Sequence, residues 1–488
     1  MNTPNRKITI DPVTRVEGHG RVTVQLDDDG RVERARFHIV EFRGFERFIQ
    51  GHPYWEDPLL VQRLCGICPV SHHLAAAKAI DQVYGYDPED LHPTATKIRR
   101  LLHFGQVFQS HALHFFYLAS PDLLFGIEAP VEKRSVGAVA VEHPELAKKG
   151  IQMRQFGQEI IRALAGKKIH GITAIPGGVH KTFDPGERDY FLTDNESPSI
   201  DTMIEWSKGV VDFIKDYHDK NYAWLDSFAS YPSGHLGLVA DDGALELYNG
   251  RMRAIDAKGQ VTLNDVHSDN YLKYFGEGVE KWSYMKFPYL RHLGRSGGWN
   301  RVGPLARLNV CDSIPTPLAN AELKEFKAYT NGRPNNHTMH SHWARLIEVL
   351  HCAEAMKELL EDPTILDTAE RPPVNRRPEG IGIIEAPRGT LIHHYKVDEK
   401  GSITKCNLIV STTHNNEPMN EAVRWVAQNV IDGQKEITDG MLNQVEVAIR
   451  AYDPCLSCAT HSMGQMPLML EVLDAEGNVV AEHIKETT

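Results

Sequence analysis

Arg63-Leu-Cys65-Gly-Ile-Cys68-Pro-Val-Ser-His72, near the start of the chain, and Asp453-Pro-Cys455-Leu-Ser-Cys458-Ala-Thr-His461, near its end, decide how this sequence is read. They hold four of the seven cysteines. Thiolates two residues apart can grip one soft metal ion from a single turn of backbone. Cys65 and Cys68 precede Pro69 and a predicted helix, and the partial positive charge at a helix N-terminus favours the thiolate. The second pair follows the turn signal Asp453-Pro454. Two such grips, one at each end, point to a single four-thiolate centre that ties the ends of the chain together. Spacing alone leaves other readings open. One is a thioredoxin-like redox pair, which needs a βαβ setting. Another is a zinc site, whose pairs usually lie about 15–20 residues apart. The third is cysteines that bind nothing.

Composition narrows the class. The 488 residues are enough for about three domains of ~150 residues, or for one large body. A hydrophobic content of 41% and a charged content of 24% suit a soluble globular protein with a large core. The net charge of -12, with no dominant basic patch, argues against nucleic acid. The polar start Met1–Ile10 carries no signal-peptide pattern, and no apolar run reaches the about 18 residues of a membrane span. Seven cysteines are too few, and odd in number, for a secreted disulfide framework. That favours a cytoplasmic location, where Cys-x-x-Cys means metal or redox chemistry. Most of the 25 histidines are expected at the surface or as satisfied core residues.

Periodicity gives a coarse map. Residues 7 to about 45 predict strands, with a hairpin turn at Asp27-Asp-Asp-Gly30. Pro69 opens a helix carrying Leu74, Ala77 and Ile80. Thr94–Ala119 predicts a long helix with Ile98, Leu101, Leu102 and Phe108 on its apolar side. Ile151–Leu164, Met203–Phe228 and Met339–Leu360 also read as helices. Asp241–Asn270 and Gly380–Val397 read as strand, Gly294–Asp312 and Glu370–Pro378 as loops. The last 27 residues read as a hairpin of Pro467–Leu473, a turn at Asp474–Gly477 and a strand from Val479. The expected fold class is α+β, mainly α-helical, with a central helix bundle and small β pieces near both termini.

The two cysteine words, with Asp11-Pro-Val-Thr-Arg-Val-Glu17-Gly-His19, Phe42-Arg-Gly-Phe-Glu46 and Ala386-Pro-Arg388-Gly389, closely resemble the large subunit of the nickel–iron hydrogenases. The resemblance spans the whole chain and is closest to the cytoplasmic, bidirectional, NAD-reducing branch. It implies reversible, heterolytic cleavage of hydrogen at a nickel held by four cysteines and an iron carrying carbon monoxide and two cyanides. Cys65 and Cys455 would be terminal nickel ligands, and Cys68 and Cys458 would bridge to iron. Glu17 matches the family's proton-relay carboxylate; outside that motif it would read as a surface strand residue. A partly buried carboxylate beside a thiolate can take and pass on a proton. Arg388 matches the arginine above the metals, with an electrostatic role and Asp453 to orient it. Its plainer reading is a salt bridge to a residue such as Glu385. Thr412 aligns with the hydroxyl that donates to a cyanide, and His72 would hydrogen-bond near Cys68; the plainer readings are a capping hydroxyl and a satisfied core histidine. Some family members carry an aspartate where this chain has Ser110, four residues before His114, so Asp453 would be the one acidic partner of Arg388. A magnesium at the far side would take Glu46, His461 and the backbone carbonyl of Leu408, with waters.

The resemblance also implies what lies beyond this chain. Mature large subunits end at the histidine three residues after the last cysteine, so residues 1–461 would be the catalytic body. Residues 462–488 would be a C-terminal extension, removed by a maturation endopeptidase once nickel-insertion factors have acted. While attached, that extension would hold Cys455 and Cys458 away from the other pair. No Gly-x-Gly-x-x-Gly follows a strand, so NAD is not expected on this chain. Cys311, Cys352 and Cys406 are too scattered for an iron–sulfur cluster. Electrons would leave through an iron–sulfur small subunit to flavin-containing, NAD-binding diaphorase subunits. Other acceptors (deazaflavin, NADP, polysulfide) and a hydrogen sensor are the alternatives. A non-catalytic relative of respiratory complex I would lack the four cysteines.

Overall fold

The structure, a computed structural model, describes residues 7–195, 197–368, 375–460, 468–473 and 479–485. Strands β1 (Lys7–Ile10), β2 (Gly20–Leu26) and β3 (Val32–Ile39) form one antiparallel sheet. The β2–β3 turn closes where predicted: Gly30 takes a φ of 76° and its N–H reaches the Asp27 carbonyl at 3.1 Å. Alternate residues Val22, Val24 and Leu26 are buried, as a one-sided strand requires.

Four long helices follow: α1 (Pro69–Tyr84), α2 (Pro93–Leu113), α3 (Pro144–Ala165) and α4 (Ile200–Ser227). The predicted helix over Thr94–Ala119 differs in two ways. A π-helical segment takes over at His114–Ala119, and residues 101–116 are buried on every side rather than on one. The reason is position. α2 is the central rod of the bundle, with α3 against it so closely that a methyl on Gly157 would stand 2.6 Å from the Gly105 carbonyl. Burying side chains such as Leu101 and Phe108 contributes roughly 1.5–3 kcal/mol each.

Strand β4 (Gly234–Val239) precedes the strand-like stretch Asp241–Asn270, which holds β5 (Arg251–Ile255) and β6 (Val261–Val266), and the hairpin β7 (Phe275–Glu280) and β8 (Ser283–Leu290) follows. Gly294–Asp312 is not the loop its glycines and arginines suggest. It contains β9 (Asn300–Arg301), which pairs parallel with β4, and a buried helix α5 (Pro304–Val310). Arg307, on that helix, is fully buried against two carboxylates. Helices α6 (Pro317–Tyr329) and α7 (Ser341–Glu361) complete the bundle, α7 lying against both α2 and α4.

The stretch expected as one strand over Gly380–Val397 is two, β10 (Glu379–Ala386) and β11 (Gly389–Val397), joined by a two-residue turn at Pro387-Arg388 and continued by β12 (Ile403–Ile409). β10 lies directly on α1: a Cβ at Gly382 would stand 2.0 Å from the Ala75 carbonyl. Then come α8 (Asn416–Val426) and α9 (Asp439–Arg450), which lead into the second cysteine pair. The C-terminal hairpin forms from β13 (Leu468–Leu473) and β14 (Val479–Lys485), with Leu468 opposite Lys485. Residues 370–374 of the predicted loop, Pro467, the turn at 474–477 and His461 lie outside the described residues. The molecule is mainly helical with small sheets, as expected. Among the described residues, no helix is long and apolar enough to cross a membrane.

Candidate metal centre

The first cysteine pair straddles a change of backbone. Cys65 leaves a 3-10 turn in extended conformation, and Cys68 caps α1 with Pro69 at the first helical position. The loop between them curls over the first sulfur: Cys65 Sγ accepts the N–H groups of Ile67 at 3.1 Å and Cys68 at 3.3 Å. From α2, the side-chain amides of Gln106 and Gln109 both grip the Ile67 carbonyl at 2.9 Å. The second pair follows Asp453, whose φ of 52° turns the chain out of α9. Thr412 Oγ1 accepts the Cys455 N–H at 3.0 Å, and the Glu17 carbonyl accepts the Leu456 N–H at 2.9 Å.

These constraints bring the four thiols together. Cys65 Sγ and Cys455 Sγ are 3.4 Å apart, Cys68 Sγ and Cys458 Sγ 3.6 Å, and all four sulfurs lie within 4.8 Å of one another. The cysteines are buried, and free of disulfides. Hydrogen bonds from Cys455, Cys458 and Cys65 hold Cys68 well below the ordinary thiol range, while burial pushes Cys455 and Cys458 well above it. Four dry sulfurs cannot all ionise next to each other without a cation. A soft divalent ion supplies the missing charge, so the donor set fits nickel and iron. Among the described residues, Thr412, Glu17 and the turn at Asp453 place the second pair beside the first.

Arg388 stands at the tip of the β10–β11 hairpin and faces the sulfurs across a narrow cavity lined by Cys68, His72, Thr412, Cys455 and Cys458. Its Nε donates to the Asp453 carbonyl at 2.6 Å and its Nη2 to Asp453 Oδ1 at 3.0 Å. Ser110 is the weaker neighbour, 3.4 Å from Nη1. Among the described residues Asp453 is its ion-pair partner, as the serine at position 110 predicts. The plainer pairing with Glu385 does not occur, because Glu385 binds Arg307 at 2.8 Å. Arg307 is a positioning residue that the sequence did not reveal. It holds the carbonyls of Ala386 at 2.8 Å and Pro387 at 3.0 Å, and so fixes the hairpin tip. Glu348, itself bonded to His111 at 2.9 Å, anchors its other side.

Glu17 pairs with Cys455 through the backbone and with its sulfur through the side chain: Oε2 is 3.1 Å from Cys455 Sγ and also accepts the Ser457 N–H at 3.1 Å. It is half-buried rather than a plain surface residue. On the other wall, His72 hydrogen-bonds Cys68. Behind it runs a buried chain that sequence reading missed. His72 Nδ1 meets His393 Nε2 at 3.2 Å, and His393 Nδ1 meets the Tyr395 hydroxyl at 2.6 Å. Tyr395 touches the fully buried Asp57, in a contact looser than an ordinary hydrogen bond. Burial pushes the Asp57 carboxyl up to about 8.

Glu46 lies apart from the sulfurs, beside β12. Its Oε1 accepts the Leu408 N–H at 2.9 Å and is 3.7 Å from Lys286 Nζ, which also pairs with Glu277 at 2.9 Å. Burial raises the Glu46 carboxyl to about 7. A buried carboxylate beside an edge-strand backbone is an oxygen site that a hard cation would suit. His461, the third expected ligand, lies outside the described residues.

Comparison with known proteins agrees with this geometry. The model of the family described as nickel-dependent hydrogenase matches residues 43–134 and 241–461, and one described as HoxL-like matches residues 7–42. The chain is 51% identical to the NAD-reducing hydrogenase HoxS subunit beta of Cupriavidus necator, covering 99% of this chain and 100% of that protein. It is 43% identical to a chain of the vhc F420-non-reducing hydrogenase of Methanococcus voltae, covering 96% of this chain and 98% of that protein. Among solved structures, an NAD+-reducing nickel–iron hydrogenase in the H2-reduced state superposes with a TM-score of 0.90 at 50% identity, covering 94% of this chain and 100% of that chain. The Ni-Fe-Se hydrogenase of D. vulgaris Hildenborough, at 21% identity and a TM-score of 0.73, shares the fold. The chain belongs to the nickel-dependent hydrogenases, as a large subunit of the nickel–iron type.

Proposed function

We propose that this chain is the hydrogen-splitting subunit of a cytoplasmic complex that passes electrons to NAD+. The observation that carries this reading is the convergence of four buried thiols with a carboxylate 3.1 Å from one of them. Bound by those sulfurs, nickel and an iron bearing carbon monoxide and two cyanides supply the redox-active centre at which hydrogen is cleaved. Cys65 and Cys455 would hold nickel alone; Cys68 and Cys458 would be shared with iron. Their observed pairing, 65 with 455 and 68 with 458, supports that division.

Glu17 takes the proton from Cys455 Sγ and carries it toward the outside. It is poised for this because the Ser457 N–H steadies the same carboxylate oxygen. Arg388 cannot give up its proton, so it acts by charge and by donated hydrogen bonds, aimed by Asp453. Thr412 Oγ1 accepts the Cys455 N–H, which leaves its hydroxyl proton free, and that proton would be donated to a cyanide on the iron. His72 donates to Cys68 and moderates its charge. Glu46, the Leu408 carbonyl and His461 would hold magnesium with waters.

Identity of 51% to one chain of an NAD-reducing hydrogenase supports NAD+ as the terminal acceptor. The chain itself has no dinucleotide fingerprint and no second cysteine cluster among the described residues, so electrons leave through an iron–sulfur small subunit to flavin-containing diaphorase subunits. Residues 1–461 form the catalytic body, and residues 462–488 are removed by an endopeptidase after nickel insertion. In support, the solved relative is matched along its whole length while covering 94% of this chain. The test is a purified complex assayed for hydrogen-dependent reduction of NAD+ and of a one-electron dye, with nickel counted and carbon monoxide and cyanide sought by infrared spectroscopy. Four thiolates loaded only with zinc would overturn the reading. Dye reduction without NAD+ reduction would leave the centre in place and reject the acceptor.

A further inference from the structure

A second cluster of ligating side chains lies on the far helices, outside the sulfur centre. His218 and Asp226 come from α4, and His340 from the turn Thr338–His340 that leads into α7. On a straight helix, residues eight apart are separated by about 12 Å of rise. Here α4 is kinked at Asn221, whose φ of -128° breaks the helical run between them. Their side chains can therefore converge. His340 Nε2 is 2.9 Å from Asp226 Oδ1, His218 Nε2 is 3.3 Å from the same oxygen, and the two Nε2 atoms are 3.0 Å apart.

We propose that His218, Asp226 and His340 bind a divalent first-row metal ion, zinc or iron(II). Three donors at about 2.1 Å from one ion, at right angles to each other, stand about 3 Å apart. The observed edges of 2.9, 3.0 and 3.3 Å match that triangle. Two histidines and one carboxylate on one face of an ion, with the opposite face left open, is a ligand set that both metals accept. Protons alone do not satisfy all three edges: with both ring nitrogens protonated their hydrogens face each other, and with one of them bare its lone pair faces the carboxylate oxygen.

The surroundings hold the ligands as a metal site needs. The Tyr329 hydroxyl donates to Asp226 Oδ2 at 2.6 Å, so the other oxygen is left facing the histidines. His337 Nδ1 bonds the Asp226 carbonyl at 2.6 Å and fixes the end of α4. The Asp226 side chain is 30% exposed, while those of the histidines are nearly dry. The open coordination positions therefore face solvent, and water can complete the shell. One rearrangement is required. Metal on His340 Nε2 leaves the proton on Nδ1, 2.8 Å from the Asn335 side-chain nitrogen. The Asn335 amide would turn its oxygen to that proton and give up its present bond from the His337 N–H.

The test uses the assembled, nickel-loaded complex, in which the sulfur centre is already filled. After dialysis against a chelator it is titrated with Co2+ alone, whose visible absorption reports its ligands, and then challenged with Zn2+. The expected result is one Co2+ per large subunit, displaced by Zn2+, and lost in D226A and in H340A complexes that retain the wild-type nickel content. Equal Co2+ uptake in wild type and variants overturns the site. Should the variants fail to assemble, anomalous diffraction from wild-type crystals soaked in Zn2+ decides: a peak between the three side chains supports the site, and none rejects it. Nickel is counted in the same samples, so failure of the sulfur centre is seen separately.

Discussion

Glu17 Oε2 sits 3.1 Å from Cys455 Sγ, although the two residues lie at opposite ends of the chain. The backbone makes the contact obligatory, because Glu17 and Cys455 form a parallel bridge flanked by the Leu456 N–H bond to the Glu17 carbonyl. Glu17→Gln keeps the shape and removes the proton acceptor. Hydrogen-dependent dye reduction should fall by about 10²–10⁴-fold, with nickel content unchanged. Equal loss of nickel and activity would instead make Glu17 a structural residue.

Thr412 offers a test of position separate from chemistry. Thr412→Val leaves the buried Cys455 N–H without its acceptor at 3.0 Å, a loss of about 1–3 kcal/mol. Thr412→Ser restores the acceptor and should restore stability, followed by thermal denaturation of the apo chain. A valine variant as stable as the serine one would show that the Cys455 turn does not depend on this bond.

Arg307 carries two carboxylates, Glu348 at 2.5 Å and Glu385 at 2.8 Å, all three side chains fully buried. Arg307→Met strands both charges. By the behaviour of broken buried ion pairs it should cost about 3–5 kcal/mol and give little folded protein. Arg307→Lys keeps the charge but cannot span both acids and the Ala386 and Pro387 carbonyls. It should fold with lower activity, because the hairpin tip that presents Arg388 is released. Activity at the wild-type level in the lysine variant would refute the positioning role.

The legible part of the centre was the part written in linear words. Each cysteine pair, Glu17, Arg388 and Asp453 sits in a short motif, and the fold brings those motifs together through backbone contacts made by the motif residues themselves. The chain from His72 through His393 and Tyr395 to Asp57 was not legible. Its members come from α1, β11 and the segment before α1, and only the register of β11 against α1 aligns them. Period-two spacing put His393 and Tyr395 on one face of a strand, but nothing in sequence said which helix that face meets. Arg307 was not singled out, and its stretch Gly294–Asp312 was expected as a loop, for a related reason. Glycine and arginine around a short helix resemble a loop until the two buried glutamates that need the arginine are known.

Asp57 gives the last prediction. Its folded-state value of about 8 lies far above the ordinary carboxylate range, so the folded chain holds this proton where the unfolded chain releases it. The sign follows from linkage: a raised folded value gives stability that is full at acid pH and is lost as pH rises from about 4 to about 8. Asp57→Asn keeps nearly the same shape and cannot ionise. The variant should therefore lack that part of the pH dependence. Its unfolding midpoint should gain on the wild type as pH increases from 5 to 7.5, by an amount on the order of a few kcal/mol. A constant difference between the two proteins across that range would mean that Asp57 is ionised in the folded chain. It would then accept from Tyr395, and every donor between Tyr395 and Cys68 would point the other way.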